Sequence, residues 1–197
     1  MKEAEDKIEI ACQQVLTDDG SVFSIQWMVF PERHAGKLTP DFILGKYLSY
    51  LRRATLYFAR PAWTASGLEF RLVSTKIPLL TFTDVVYSNT GGSRSASLRI
   101  CGGHFVQSEL CNRGRFSFIS ENINGGVKVA VQLEGYYPRL LGSSAPSFAR
   151  KWLYKYTQAT LHKFLTTRFL AHLYRELEGK GLCIRIVKVY VQKGENI

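Results

Sequence analysis

Apolar and polar positions alternate along most of this chain with the two-residue period of a strand, and the period becomes helical in two places. Ile8, Ile10 and Cys12 alternate with Glu9, Ala11 and Gln13, which predicts a first strand. Val22 to Phe30 (VFSIQWMVF) is apolar enough for a central strand, and Asp18-Asp19-Gly20 between the two predicts a hairpin. Thr39 then caps and Pro40 opens a helix that places Phe42, Ile43, Tyr47, Leu48, Leu51 and Ala54 on one side. Arg52 and Arg53 end it, where the helix dipole favours positive charge. From Leu56 to Leu133 the pattern is one of short strands: Leu68-Phe70-Leu72, Leu79 to Tyr87, Ser95 to Gln107, and Arg113 to Glu121 with Phe116 and Phe118 on one face. Gly102-Gly103 predicts a bulge or a close backbone approach. Asn124-Gly125-Gly126 is a hairpin signal. Beyond it Val127, Val129, Val131 and Leu133 alternate with Lys128, Ala130, Gln132 and Glu134, so Val129 and Val131 are expected inside and Lys128 outside.

The second helical stretch is long, about 145–178, with Ser144 as its expected cap, Pro146 in its first turn, and Gly179 and Gly181 ending it. At about 100° per residue, Phe148, Trp152, Tyr156, Ala159, Leu170, Leu173, Tyr174 and Leu177 share one broad arc. Leu153, Phe164 and Ala171 widen it, which leaves a narrow polar strip of Arg150, Thr157, Arg168, His172 and Arg175. A helix covered over most of its circumference needs a sheet around it. The expected fold is therefore α+β, a curved antiparallel β-sheet packed on a long C-terminal helix in a helix-grip-like manner, with one earlier helix and an extra final strand. That strand, Leu182 to Gln192, shifts its apolar parity between Ile186 and Val187 and predicts a bulge there. Residues 1–197 read as a single domain, without repeats or a linker.

Charge sharpens this picture. Net charge is +10, yet residues 1–20 hold six acids and two bases, so the remainder holds 24 bases against 10 acids. From Gly135 to Arg175 there is no carboxylate. Such a field favours anionic partners, nucleic acid, a phospholipid surface or an acidic small molecule, or simply a well-solvated exterior. The acidic N-terminus lacks the apolar run of a signal peptide, and no stretch is long and apolar enough for a spanning helix, so the expected location is cytoplasmic. Cys12, Cys101, Cys111 and Cys183 form no CxxC pair and are expected as reduced, mostly buried thiols.

Chemical motifs are sparse. Cys101, His104 and Cys111, with Cys183, can supply metal ligands, but their spacing matches no zinc signature, and no metal or cofactor is expected. A nucleophile would need one of His34, His104, His162 or His172 beside it, and Asp84, Glu109, Glu121 and Glu134 are candidate acids or bases among strands. The run Arg113-Gly-Arg-Phe-Ser-Phe-Ile partly resembles the RNA-stacking strand of an RRM, though Phe116 and Phe118 read better as core. Asn89-Thr-Gly-Gly-Ser-Arg94 reads as a hairpin loop. Lys151-Trp-Leu-Tyr-Lys-Tyr mixes cations with amphipathic rings, as membrane-surface helices do.

From Ile8 to Glu178 the order of elements, an initial strand region, one early helix, a run of antiparallel strands and a long apolar helix, resembles the START-like superfamily. That resemblance rests on element order and implies a ligand cavity between sheet and helix. Members bind lipids, sterols and polyketides, and some are enzymes. The expected function is thus intracellular binding of an apolar or amphipathic small molecule, lipid-like or polyketide-like, with or without turnover. Trp152, Tyr156, Ala159, Tyr174, Phe116 and Phe118 are the expected ligand contacts. The alternative is a basic module meeting nucleic acid or an anionic membrane through Arg150, Arg168 and Arg175. Oligomeric state is not legible.

Overall fold

The structure is a computed structural model that describes residues 7–73, 75–142, 146–179 and 183–197. Strands β1 (Lys7–Leu16) and β2 (Val22–Phe30) form the expected hairpin, with Leu16 opposite Val22. Its turn is held by Asp19, whose carboxylate accepts from the Thr17 hydroxyl and the Ser21 amide. Helix α1 (Pro40–Ala54) starts as read, the Thr39 hydroxyl accepting from the Phe42 amide at 3.3 Å. A run of strands follows: β3 (Ala59–Thr64), β4 (Gly67–Leu72), β5 (Pro78–Phe82), β6 (Val86–Thr90), β7 (Ser93–Gly102), β8 (Arg115–Ile123) and β9 (Gly126–Tyr136). The chain then forms α2 (Phe148–Tyr154), a π-helical turn (Lys155–Ala159) and α3 (Thr160–Glu178), and ends in β10 (Cys183–Lys188) and β11 (Glu195–Asn196).

Among the described residues the strands make one open sheet in the order β10-β1-β2-β9-β8-β7-β5-β4-β3. Every pairing is antiparallel except that of β1 with β10, which is parallel. The fold is α+β, a many-stranded sheet packed on a long C-terminal helix with one earlier helix. β9 returns to pair with β2 and delivers the chain to the long helix. Val127, Val129 and Val131 are fully buried in a core they share with Phe118, Phe169, Leu170 and Leu173. Lys128 lies on the other face, where it pairs with Glu121 and sits 5.2 Å from the Trp27 ring centroid.

Three strand expectations change. The stretch Leu79 to Tyr87 is not one strand: it breaks after Phe82, so that β5 can turn away to pair with β4 while β6 continues alone beside the start of β7. β3 was not anticipated because Ala59–Thr64 has no apolar alternation; it forms as the outermost strand, where Pro61 need not donate to a further neighbour. β10 pairs with β1 in unbroken register from Cys183 to Lys188, so there is no bulge between Ile186 and Val187. An edge strand with Ile186 half exposed has no buried face to keep its parity. It ends at Lys188, and Gln13 then holds the backbone of Val191 and Gln192 with its side-chain amide. Leu182 lies outside the described residues. Of the four thiols only Cys12 is buried; Cys101 and Cys111 are intermediate and Cys183 is exposed.

The long helix differs most. It begins at Phe148, capped by Ser147, whose hydroxyl accepts from the Arg150 amide; Pro146 precedes it, and Ser144 and Gly181 lie outside the described residues. Gly179 ends it at φ 67°, its amide donating to the Arg175 carbonyl. The π turn inserts one extra residue, which rotates everything before it by about 100° relative to a regular helix. The expected arc is broken by that rotation: Tyr154 is turned inward, while Phe148 and Trp152 are turned out to 83% and 55% exposure. At the far end Glu178 meets Arg33 and His34, and Glu176 meets Lys46 on α1, so α3 is pinned where it leaves the core.

Candidate functional site

A pocket of about 490 Å³ lies between the sheet and the middle of the long helix. α1 contributes Tyr47 and Leu51 to it, and the strands contribute Phe82, Phe116 and Leu133 among others. The helix contributes Tyr154, Gln158, Leu161, His162 and Leu165. Three of these, Tyr154, Gln158 and His162, follow one another at intervals of four residues and reach the same wall. Among the described residues no lysine, arginine, aspartate or glutamate lines the pocket. Phe58 and Leu161 line it and are nevertheless 61% and 54% exposed, which places the opening between the loop after α1 and the helix. In that loop Leu56 and Tyr57 both have left-handed backbones, φ 50° and 65°. Non-glycine residues rarely hold such angles in succession, and here they turn Leu56 and Tyr57 outward beside the opening.

The π turn shapes this wall. Its irregular hydrogen bonding needs extra partners, and side chains supply them: Thr157 donates to the Leu153 carbonyl at 2.6 Å, Thr160 to the Lys155 carbonyl at 2.7 Å, and Gln14 on β1 to the Ala159 carbonyl at 3.1 Å. Gln158 belongs to the turn itself. Its Oε1 and the Nε2 of His162 are buried without a hydrogen-bond partner. The Tyr136 hydroxyl is satisfied, donating to the Phe105 carbonyl at 2.9 Å. The hydroxyls of Tyr47 and Tyr154 meet no protein partner among the described residues, although both residues are 3% exposed. Burial pushes all three phenols well above their ordinary range and pulls His162 down to about 4. At neutral pH the three phenols and His162 therefore carry no charge; the exposed His104 also lines the pocket.

The anticipated contacts are not brought together. Phe116 lines the pocket; Phe118 stands behind it in the core, its ring centroid 4.9 Å away and edge-on. Trp152 and Tyr156 stack on each other at 4.8 Å on the outside of the helix, which corrects their expected inward position. Ala159 is buried but packs in the core outside the pocket lining, and Tyr174 packs on Phe30 at 5.4 Å. Arg150, Arg168 and Arg175 are exposed on the helix, Arg168 over the Phe164 ring at 5.0 Å. The sequence reading missed Tyr47, Tyr154 and Gln158 as pocket residues. The four-residue spacing of Tyr154, Gln158 and His162 was a visible signal, hidden only by the wrong helical phase.

Other candidate chemistry is dispersed. His34 is engaged by Glu178, Glu121 by Lys128, and Glu134 by Gln132 and Arg115; Asp84 and Glu109 are exposed. Cys101 and Cys183 lie on β7 and β10, well apart in strand order, and among the described residues no three metal-ligating side chains cluster. No helix among them is long and apolar enough to cross a membrane. Two smaller hollows, about 340 and 270 Å³, follow the C-terminal segment past Tyr190.

No protein-family profile and no curated protein matches the chain. Among solved structures, the crystal structure of CalU16 from Micromonospora echinospora aligns with 64% of this chain and 68% of its own at 11% identity, with a TM-score of 0.31. At that score the likeness adds nothing to the reading of the site.

Proposed function

We propose that this protein is a helix-grip-like, START-like binding protein that holds an apolar or amphipathic small molecule, lipid-like or polyketide-like, between its sheet and its long helix. The observation that carries the reading is the largely apolar pocket of about 490 Å³, lined by no lysine, arginine, aspartate or glutamate among the described residues, with orphaned polar atoms at Gln158 and His162. Pockets of a few hundred Å³ with apolar walls and a few placed polar groups are the usual form of small-molecule sites. Buried polar atoms without partners are costly, so a ligand that supplies the missing partner is bound more tightly for it.

The neutral fluorescent probe N-phenyl-1-naphthylamine tests this, together with native mass spectrometry of the freshly purified protein for a retained small molecule. Wild type is expected to bind the probe. Leu80→Trp, which adds bulk at the pocket wall, is expected to weaken binding about tenfold or more, and Arg168→Glu on the outer helix face to leave it unchanged. If wild type neither binds the probe nor retains a small molecule, the reading fails.

One observation favours a second role. Phe148, Trp152 and Tyr156 are exposed on a helix segment that also carries Arg150, Lys151 and Lys155. Amphipathic rings among cations suit an anionic membrane surface. Sedimentation with phosphatidylserine vesicles, reduced by Trp152→Ala and by added salt, supports that role, and binding indifferent to both removes it.

A further inference from the structure

We infer that the ligand enters this pocket as an uncharged molecule whose carbonyl or hydroxyl oxygen accepts a hydrogen bond from the Tyr47 or the Tyr154 hydroxyl, a ligand hydroxyl being able to donate in turn to Gln158 Oε1. The inference rests on the proposed binding function and narrows its ligand to one chemical class.

Two features of the wall lead here. The first is the kind of polar group available. Tyr47 comes from α1 and Tyr154 from the end of α2; both line the pocket, and neither hydroxyl is used by the protein among its described residues. Phenols kept protonated by burial are donors, so what they lack is an acceptor. Gln158 presents an unpaired carbonyl oxygen and His162 an unpaired ring nitrogen one helical turn further along. A ketone can accept from either tyrosine, and a hydroxyl can also donate to Gln158 Oε1.

The second feature is the kind of group that is missing. A fatty acid or a phosphorylated lipid whose head lay in this pocket would bring a full negative charge into a wall without lysine or arginine among the described residues. Buried charges persist where they are paired, and isolated ones are expelled or neutralised. The protein has many cations, but Arg150, Arg168 and Arg175 stand outside. Its positive field and its interior therefore select differently, and the interior discriminates against anions.

Three rigid fluorescent probes of one shape separate these possibilities: pyrene, 1-acetylpyrene and 1-pyrenecarboxylate, titrated at pH 7 by fluorescence and checked by equilibrium dialysis. Wild type is expected to bind 1-acetylpyrene about tenfold more tightly than pyrene, and 1-pyrenecarboxylate, its near-isostere, at least about a hundredfold more weakly than 1-acetylpyrene. The double variant Tyr47→Phe/Tyr154→Phe keeps both rings and is expected to lower 1-acetylpyrene affinity to that of pyrene, with pyrene unchanged. A carboxylate that binds as tightly as the ketone overturns the inference, as does a ketone preference that survives in the double variant. If the double variant loses pyrene as well, the wild-type order of ketone over carboxylate decides alone. If none of the three probes binds wild type, the binding function itself falls, a result distinct from binding in the wrong order.

Discussion

His162→Leu should change how the protein responds to acid. His162 is held near 4 in the folded state by burial, against 6.5 for an unperturbed imidazole. Below pH 6.5 the unfolded chain takes up a proton that the folded chain refuses, so wild type loses stability as pH falls, until the folded ring also protonates near pH 4. Integrating that difference in bound protons gives a loss of about 2 kcal/mol between pH 7 and pH 5. The carboxylates stay outside this window: Glu176 and Glu178 are shifted below 4.5, chiefly by hydrogen bonds from Lys46 and His34, and the stability they add is lost only as pH falls below that value. Urea unfolding of wild type and His162→Leu at pH 7, 6 and 5 isolates the effect, since every other group is common to both. Any constant offset from removing the orphaned Nε2 drops out of the comparison. The wild-type midpoint is expected to fall by about 1 M relative to the variant across the range, taking about 2 kcal/mol per molar for the denaturant dependence. Parallel profiles would falsify the claim that the ring is desolvated beside the pocket.

Val131→Asp places an unpaired carboxylate at a fully buried position and should cost about 4 kcal/mol or more in thermal or urea melts. Lys128→Asp on the opposite face should cost about 1 kcal/mol or less, since it sets a like charge opposite Glu121 on an open surface; equal losses would mean that the register is wrong. Gly103→Ala should destabilise by several times as much as Gly91→Ala: both glycines have positive φ, but a Cβ at Gly103 would lie 2.5 Å from the Leu79 carbonyl oxygen, while one at Gly91 meets nothing. Deleting Thr157 from the π turn should restore regular helical phase, turn Tyr154 out of the wall and abolish binding of a neutral apolar probe, while hydrogen exchange shows the α3 core still protected.

How much of this was legible depends on what set each element. The β1–β2 hairpin, α1 and β9 could be read because local signals agree: Thr39-Pro40 starts a helix wherever it sits, and the alternation from Val127 to Leu133 admits one burial pattern. The close approach at Gly102-Gly103 was legible too, because glycine is the residue that such a crossing demands. β3 is joined to β4 by a two-residue turn, but Ala59–Thr64 has no apolar alternation to show it, and β5 and β6 divide because β5 pairs with β4 whereas β6 pairs with the start of β7, a choice of partner that no local alternation encodes. The candidate site was the least legible part. Phe116 was identified, but Trp152 and Tyr156 were placed inside by a projection that assumed a regular helix, and the π turn of Lys155–Ala159 leaves no mark in composition. Its supports, Thr157, Thr160 and Gln14, are individually unremarkable polar residues.

The extra residue in that turn also bears on how such a helix can diverge. A regular helix transmits any single insertion or deletion along its whole length, so a change that improves one end ruins the other. Here the segment from Thr160 to Glu178 is fixed by the core and by Glu176 and Glu178 at its end and carries Leu161, His162 and Leu165 of the pocket wall, whereas before Lys155 Tyr154 alone reaches that wall. The turn separates the two, so gain or loss of one residue between Lys155 and Ala159 would replace Tyr154 at one end of the pocket wall and leave the core half, with Leu161, His162 and Leu165, in register. Relatives of this chain should therefore carry single-residue gaps at this point, and across each gap the ligand preference should change while the fold does not.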